Sequence, residues 1–287
     1  MLNYRPIIYG GRSQIIVTMK LSGVKSETHF KAMALLLAAL LTGCAGFRKA
    51  ADLPEGRHND KLTGNSWYAG YSERSRLNYI VTLPSDYDTG SKKYPLILFL
   101  HSQAERGSNV TLLIDNQSGG SDLIAPLALK DKNFPFITIS PLCPAHYGWP
   151  VLNQRVNRLL KDVTVKYRTD LSRIYITGVS MGGMGTWSVA MKHPHWFAAM
   201  APISGGTMFP MTVMRPKRIK NIPVWAFHDR YDKTIPIKFE EKDIERLKKA
   251  GGNVRYTVTE TGRHEIWTDI YNKPDIFNWL LENEKKK

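Results

Sequence analysis

The chain reads as an α/β protein: a mostly parallel central sheet with helices on both faces, in a single folded domain. Three observations predict this. Apolar runs of strand length alternate with segments of helical period from Tyr79 onward. Several of those runs are apolar without alternation, as strands covered on both faces require. A chain of 287 residues that is 43% hydrophobic is also long enough to bury a full core.

The first 43 residues read differently from the rest. Lys20, Lys25 and Lys31 precede an apolar run from Met33 to Leu41, which meets Leu41-Thr42-Gly43-Cys44. A basic region, a short apolar stretch and small residues at a cleavage point make a secretory signal. The run is too short for a bilayer, which takes about 20 apolar residues. Met19-Lys20 makes a more ordinary signal start than Met1. Residues 44–63 are polar and without period, which predicts a tether, and the folded domain is expected over 64–287.

Within that domain, strands are expected at Tyr79–Leu83, Leu96–His101, Phe136–Ser140, Ile174–Thr177, Ala198–Ile203, Val224–His228 and Val254–Thr259. Helical period appears at Val151–Tyr167, Met181–Lys192, Phe239–Ala250 and Trp267–Glu282. Strands alternating with helices imply right-handed crossovers and parallel pairing. The Ser/Gly-rich stretch Gln117–Ser121 reads as a loop, and no lid-sized insertion is evident.

Charge and cysteine content narrow the function classes. The net charge is +15; without residues 1–43 it is +11, from 35 basic and 24 acidic residues. The basic clusters, such as Arg215–Lys220 and Lys248-Lys249, are scattered and lack interleaved stacking aromatics or a nucleic-acid module. They predict a solvated surface with an attraction for anionic membranes or acidic glycans, and no nucleic-acid partner. The two cysteines, Cys44 and Cys143, stand in no metal-ligand spacing, so neither a metal nor a cofactor is expected.

In open parallel sheets, ligands bind beyond the carboxyl ends of the strands. The strand Arg173–Thr177 runs into Gly178-Val179-Ser180-Met181-Gly182-Gly183. This is a G-x-S-x-G elbow, a sharp strand-to-helix turn that holds a serine hydroxyl at the sheet's edge. Ser180 is the expected nucleophile, and the Met181 N–H at the helix start is one expected oxyanion donor. A serine needs a base, oriented in turn by a carboxylate, in the chain order Ser, Asp or Glu, His. His264 follows the last strand on a Gly-containing loop and is the expected base. His193 and His195 close the helix after the elbow and read as its C-terminal cap. The strand Pro223–His228 runs directly into Asp229 and Asp232, which compete for the acid role. Asp229 is well placed merely to start the turn, so Asp232 is the expected acid. The loop after Leu96–His101 should supply the second oxyanion donor, the Gln103 N–H, with Ser102 as its neighbour. Tyr147 and Trp149 follow the strand Phe136–Ser140 and are candidate substrate-pocket residues.

These residues carry a resemblance. From Arg173 to Gly206 the chain resembles bacterial esterases close to the polyhydroxybutyrate-depolymerase and feruloyl-esterase-like group, which are also labelled predicted peptidases of prolyl-oligopeptidase-like type. The similarity extends over roughly Tyr79 to Leu281. It implies the α/β-hydrolase fold. That group's Trp-x-Phe-His-Gly-x-x-Asp-x-x-Val-Pro falls on Trp225–Pro236 and points to Asp232, with Asp229 at the glycine. Its Gly-His-x-x-Trp falls on Arg263–Trp267 and points to His264. Its Leu-His-Gly-x-Gly-Glu-Arg-Gly loop has Ser102 and Ala104 at the two glycines. Leu41–Cys44 resembles a bacterial lipobox, which implies a diacylglycerol anchor on Cys44. Ala45 after it resembles outer-membrane sorting, and so implies the cell envelope, on its periplasmic or extracellular face. The resemblance implies hydrolysis of small or aromatic acyl esters, free or linked to a glycan. A peptidase and a non-catalytic glycan-binding lipoprotein are the alternatives.

Overall fold

A computed structural model describes residues 65–114, 124–208 and 214–285, together with the backbone of 7–9, 12–14 and 58–59. Most of the expected signal segment, Cys44, most of the tether and the Gln117–Ser121 loop lie outside the described residues. Residues 1–41 form one unit, in which Ile7–Tyr9 (β1) pairs antiparallel with Arg12–Gln14 (β2). The remaining chain forms a second unit, built on one sheet.

The strands of that sheet are His58–Asn59 (β3), Ser66–Ser72 (β4), Leu77–Leu83 (β5), Tyr94–Leu100 (β6), Ile137–Pro141 (β7), Thr169–Val179 (β8), Ala199–Ile203 (β9), Val224–Asp229 (β10) and Val254–Thr259 (β11). Their spatial order is β11-β10-β9-β8-β6-β7-β5-β4-β3. From β11 to β7 every pairing is parallel, whereas β5, β4 and β3 are added antiparallel. All seven expected strands lie here. The outer β4 was not expected: its Trp67–Tyr71 segment is only half-buried, so no continuous apolar run marks it.

The helices are Ile124–Lys130 (α1), Trp149–Lys166 (α2), Met181–Lys192 (α3), Pro216–Ile219 (α4), Lys238–Lys249 (α5), Trp267–Tyr271 (α6) and Pro274–Leu281 (α7). The expected single helix over Trp267–Glu282 is thus two. Pro274 lacks an N–H and drives Lys273 into an extended conformation, φ −100° and ψ 139°, which ends α6 and restarts the helix at α7.

Alternate side chains along each strand enter opposite layers, which is why the central runs are apolar throughout. Phe99, Tyr175, Ala201 and Phe227 belong to the layer that also holds Ile270, Tyr271, Ile276 and Leu280 of α6 and α7. The Thr177 and Tyr271 hydroxyls meet across that layer at 2.7 Å. On the other face Leu100 packs towards α2 and α3 near Gly185 and Trp149. Strand order reverses about β6, which lies between β7 and β8. A crevice at the carboxyl ends of β6 and β8 is the ligand site such a reversal creates.

Candidate active site

The elbow is built at that point. Val179 ends β8, Ser180 adopts φ +55° and ψ −117°, and α3 begins at Met181. A positive φ at a non-glycine residue is strained, and the surroundings over-determine it. The Ser180 N–H donates to Ile203 O at 2.9 Å, and its carbonyl accepts from the Met184 N–H at 3.0 Å. A Cβ on Gly182 would stand 1.8 Å from Leu100 O, and one on Gly178 2.5 Å from Gly182 O. Only glycine lets β6, β8 and α3 approach this closely.

Two loops bring partners to the serine. His264 Nε2 lies 2.8 Å from Ser180 Oγ, and His264 Nδ1 lies 2.6 Å from Asp232 Oδ2. Asp232 Oδ1 accepts the Thr234 and Ile235 N–H groups at 2.8 and 2.9 Å. Burial works to raise the Asp232 pKa, but hydrogen bonds from His228 and His264 outweigh it and hold the carboxyl well below the usual carboxylate range. With Asp232 ionised, Nδ1 of His264 carries the proton and Nε2 is free to take one from Ser180.

Asp229, the competing acid, has a different job. Its carboxylate accepts from the Tyr231, Thr261 and Gly262 N–H groups and from the hydroxyls of Thr259 and Thr261, at 2.6 to 3.0 Å. Burial raises its pKa, but those Thr259 and Thr261 bonds hold it at about 2. Asp229 therefore clamps the loop that delivers His264. Ser204 supports the same loop from β9: at φ +50° its hydroxyl donates to His264 O at 3.0 Å. Sequence reasoning missed Ser204, and its signal is its place directly after the neighbouring strand.

The expected oxyanion loop begins where β6 ends, beside the elbow, since Leu100 pairs with Gly178. His101 Nε2 accepts the Cys143 N–H at 2.9 Å, so its hydrogen is on Nδ1 and reaches Ser102 O at 2.7 Å. Arg106 Nη1 donates to Tyr147 O at 3.2 Å, and the Gly107 N–H to Cys143 O at 3.0 Å. Ser102 Oγ takes the Ala104 N–H at 3.1 Å. The Gln103 N–H has no hydrogen-bond partner among the described residues. Met181, first in its helix, has no acceptor one turn earlier within it. Burial pushes the Cys143 thiol pKa far up, so it offers no competing nucleophile.

The structure corrects one expectation. Trp149 is fully buried, with its Nε1 donating to His101 O at 2.9 Å and its ring edge-on to the His101 ring. As the first residue of α2 it points into the core and underpins the loop after β6, closed to substrate. Tyr147 stays half-buried in the loop before α2. His193 caps α3 through its N–H to Val189 O, at 2.9 Å.

A second buried group lies behind Asp232. His228 Nδ1 is 2.7 Å from Glu240 Oε2, and its Nε2 is 2.9 Å from Ile235 O and 3.3 Å from Asp232 Oδ2. Glu240 Oε1 accepts from Trp187 Nε1 at 3.2 Å. His228 ends a strand but precedes the acids in the chain, and Glu240 does not stand out because α5 reads as an ordinary charged helix.

Residues 152–274 match the phospholipase/carboxylesterase family. An endo-1,4-beta-xylanase/feruloyl esterase of Xylanibacter ruminicola is 26% identical over 187 residues, covering 62% of this chain and 25% of that protein. A bifunctional acetylxylan esterase/xylanase of Neocallimastix patriciarum is 29% identical over 82 residues, covering 29% of this chain and 12% of that protein. The chain thus spans a quarter or less of the length of these two relatives. A crystal structure of a thermostable esterase superposes with a TM-score of 0.62 at 30% identity, covering 83% of this chain and 64% of that one. With its reversed strand order, its elbow and its Ser180–His264–Asp232 chain, this protein has the α/β-hydrolase fold and is similar over residues 152–274 to the phospholipase/carboxylesterase family.

Proposed function

We propose that this chain is a serine esterase that cleaves carboxylic esters through an acyl-enzyme. The observation that carries the reading is the unbroken hydrogen-bonded chain from Ser180 Oγ through His264 to Asp232. His264 takes the Ser180 proton as Oγ attacks the ester carbonyl. The oxyanion forms against the Met181 and Gln103 N–H groups, and His264 then passes its proton to the leaving alcohol. Water repeats the sequence on the acyl-enzyme and frees the acid, regenerating Ser180.

The substrate class is a small or aromatic acyl ester, free or on a plant-polysaccharide fragment. The feruloyl esterase and acetylxylan esterase names of the two curated relatives support it. Turnover of methyl ferulate and p-nitrophenyl acetate, against none of a proline-containing peptide, is the expected outcome. Preference for the peptide would replace esterase with peptidase. Failure of Ser180 to label with a fluorophosphonate would remove the catalytic reading altogether.

Anchoring belongs to the same proposal. Cys44, in its Leu-Thr-Gly-Cys setting, would carry a diacylglycerol and a further acyl chain, more than the single chain that binds membranes only reversibly. Mass spectrometry of the mature N-terminus is expected to find lipidated Cys44, and an unmodified Cys44 would overturn the anchor.

A further inference from the structure

We propose that His228, locked between Asp232 and Glu240, is a cationic positioning residue that fixes the orientation and charge of the triad carboxylate. The proposal rests on the esterase reading for its kinetic consequence but not for its geometry.

The hydrogens around His228 can be counted. Ile235 O, 2.9 Å from Nε2, only accepts, so Nε2 carries a hydrogen. That hydrogen also faces Asp232 Oδ2 at 3.3 Å. Nδ1 and Glu240 Oε2, 2.7 Å apart, need a hydrogen between them too. The pair is therefore either imidazolium with carboxylate or imidazole with carboxylic acid. Two neighbours select the first. Trp187 Nε1–H is shared between Gly205 O at 3.0 Å and Glu240 Oε1 at 3.2 Å and lends the carboxylate part of its stabilisation, while the Asp232 carboxylate favours positive charge on the ring. Burial opposes charge on both partners: it raises the Glu240 pKa to about 7 against the bond from His228, whereas the His228 bonds to Asp232 and Glu240 prevail over burial and raise its pKa to about 10, so the shared proton rests on the more basic imidazole.

The other titratable neighbours of this cluster are Asp243 and Tyr256, both of which act on or through Glu240. The Asp243 carboxylate is already occupied by the Thr207 N–H and hydroxyl. His264 approaches from the far side of Asp232, at 2.6 Å from the same Oδ2. Two imidazoles thus share one carboxylate oxygen. The cation on the His228 side draws charge from that oxygen and keeps the carboxylate from rotating away from His264.

The test uses the full chain and two variants, His228→Gln and Glu240→Gln. Each removes the cation, the second by removing the carboxylate that sustains it. Without that positive charge Asp232 presents more negative charge to His264, so the acid limb of kcat/KM moves to higher pH, by about one unit. Loss of orientation lowers kcat on the order of tenfold with KM unchanged. A merely structural role would lower stability and leave the limb in place, and an unmoved limb in both variants overturns the proposal. The nitrogen NMR signals of His228 in the wild-type protein, assigned by through-bond correlation to the His228 backbone, supply a readout without catalysis. Two protonated nitrogens at pH 7 are expected, and a neutral ring overturns the proposal even if neither variant folds. Failure of Ser180 to label would sink the esterase reading and leave this measurement standing.

Discussion

Asp229 Oδ2 accepts both the N–H and the hydroxyl of Thr261, at 2.6 and 2.8 Å, so the carboxylate that ends β10 grips the loop carrying His264. Three further donors converge on the same carboxylate. An amide in its place would offer one acceptor and turn two hydrogens towards donors. Asp229→Asn should destabilise the protein by roughly 2–3 kcal/mol and lower kcat through a loosened His264, measured by urea unfolding and by turnover.

The same group gives a pH dependence. The Asp229 pKa is depressed to about 2 in the folded protein, below its ordinary value of about 3.9. A depressed carboxyl contributes stability that is present above the ordinary value and lost as pH falls through the folded one. The wild-type protein should lose stability from about pH 4 to pH 2, and Asp229→Asn should flatten that slope in acid unfolding curves.

Asp232→Asn acts on chemistry. Its amide lets His264 settle in the wrong tautomer, so kcat should fall about 10⁴-fold with folding retained. A loss confined to stability, with kcat intact, would mean that another carboxylate orients the base.

Ser180→Ala should abolish both turnover and fluorophosphonate labelling while leaving thermal stability nearly unchanged. The Ser180 backbone bonds to Ile203 and Met184 do not involve the hydroxyl. Labelling that persists in the variant would place the nucleophile elsewhere.

Gly182→Ala should severely destabilise the folded protein. The added methyl would sit 1.8 Å from Leu100 O and 2.8 Å from His101 O, both backbone atoms of the strand end that opens the oxyanion loop. A destabilisation above about 4 kcal/mol, the range reserved for core overpacking and backbone strain, is the expected result of denaturant titration.

How much of this was legible in the sequence follows from how local each cause is. The seven central strands, α3 and the elbow are visible because apolar runs and a glycine-flanked serine are local patterns. Asp232 and His264 are legible as residues that follow strands, since the fold sends strand ends to one edge. What the sequence cannot carry is which side chain faces which neighbour. Asp229 and Asp232 are three apart and chemically alike, and only the β10–β11 pairing hands the first to Thr261 and the second to His264. Trp149 follows a strand at the active-site edge, yet the helix it starts turns its ring into the core. Ser204, His228 and Glu240 come from the residue after β9, from β10 and from α5, and their roles arise only when packing excludes water and each buried polar group must find a partner. The sequence by itself determined the fold class and the serine-bearing elbow, because strand and elbow patterns are written in neighbouring residues. The tertiary structure alone decided the partners of Asp229, Ser204, His228 and Glu240, because hydrogen bonds between residues far apart in the chain exist only once the sheet has brought them together.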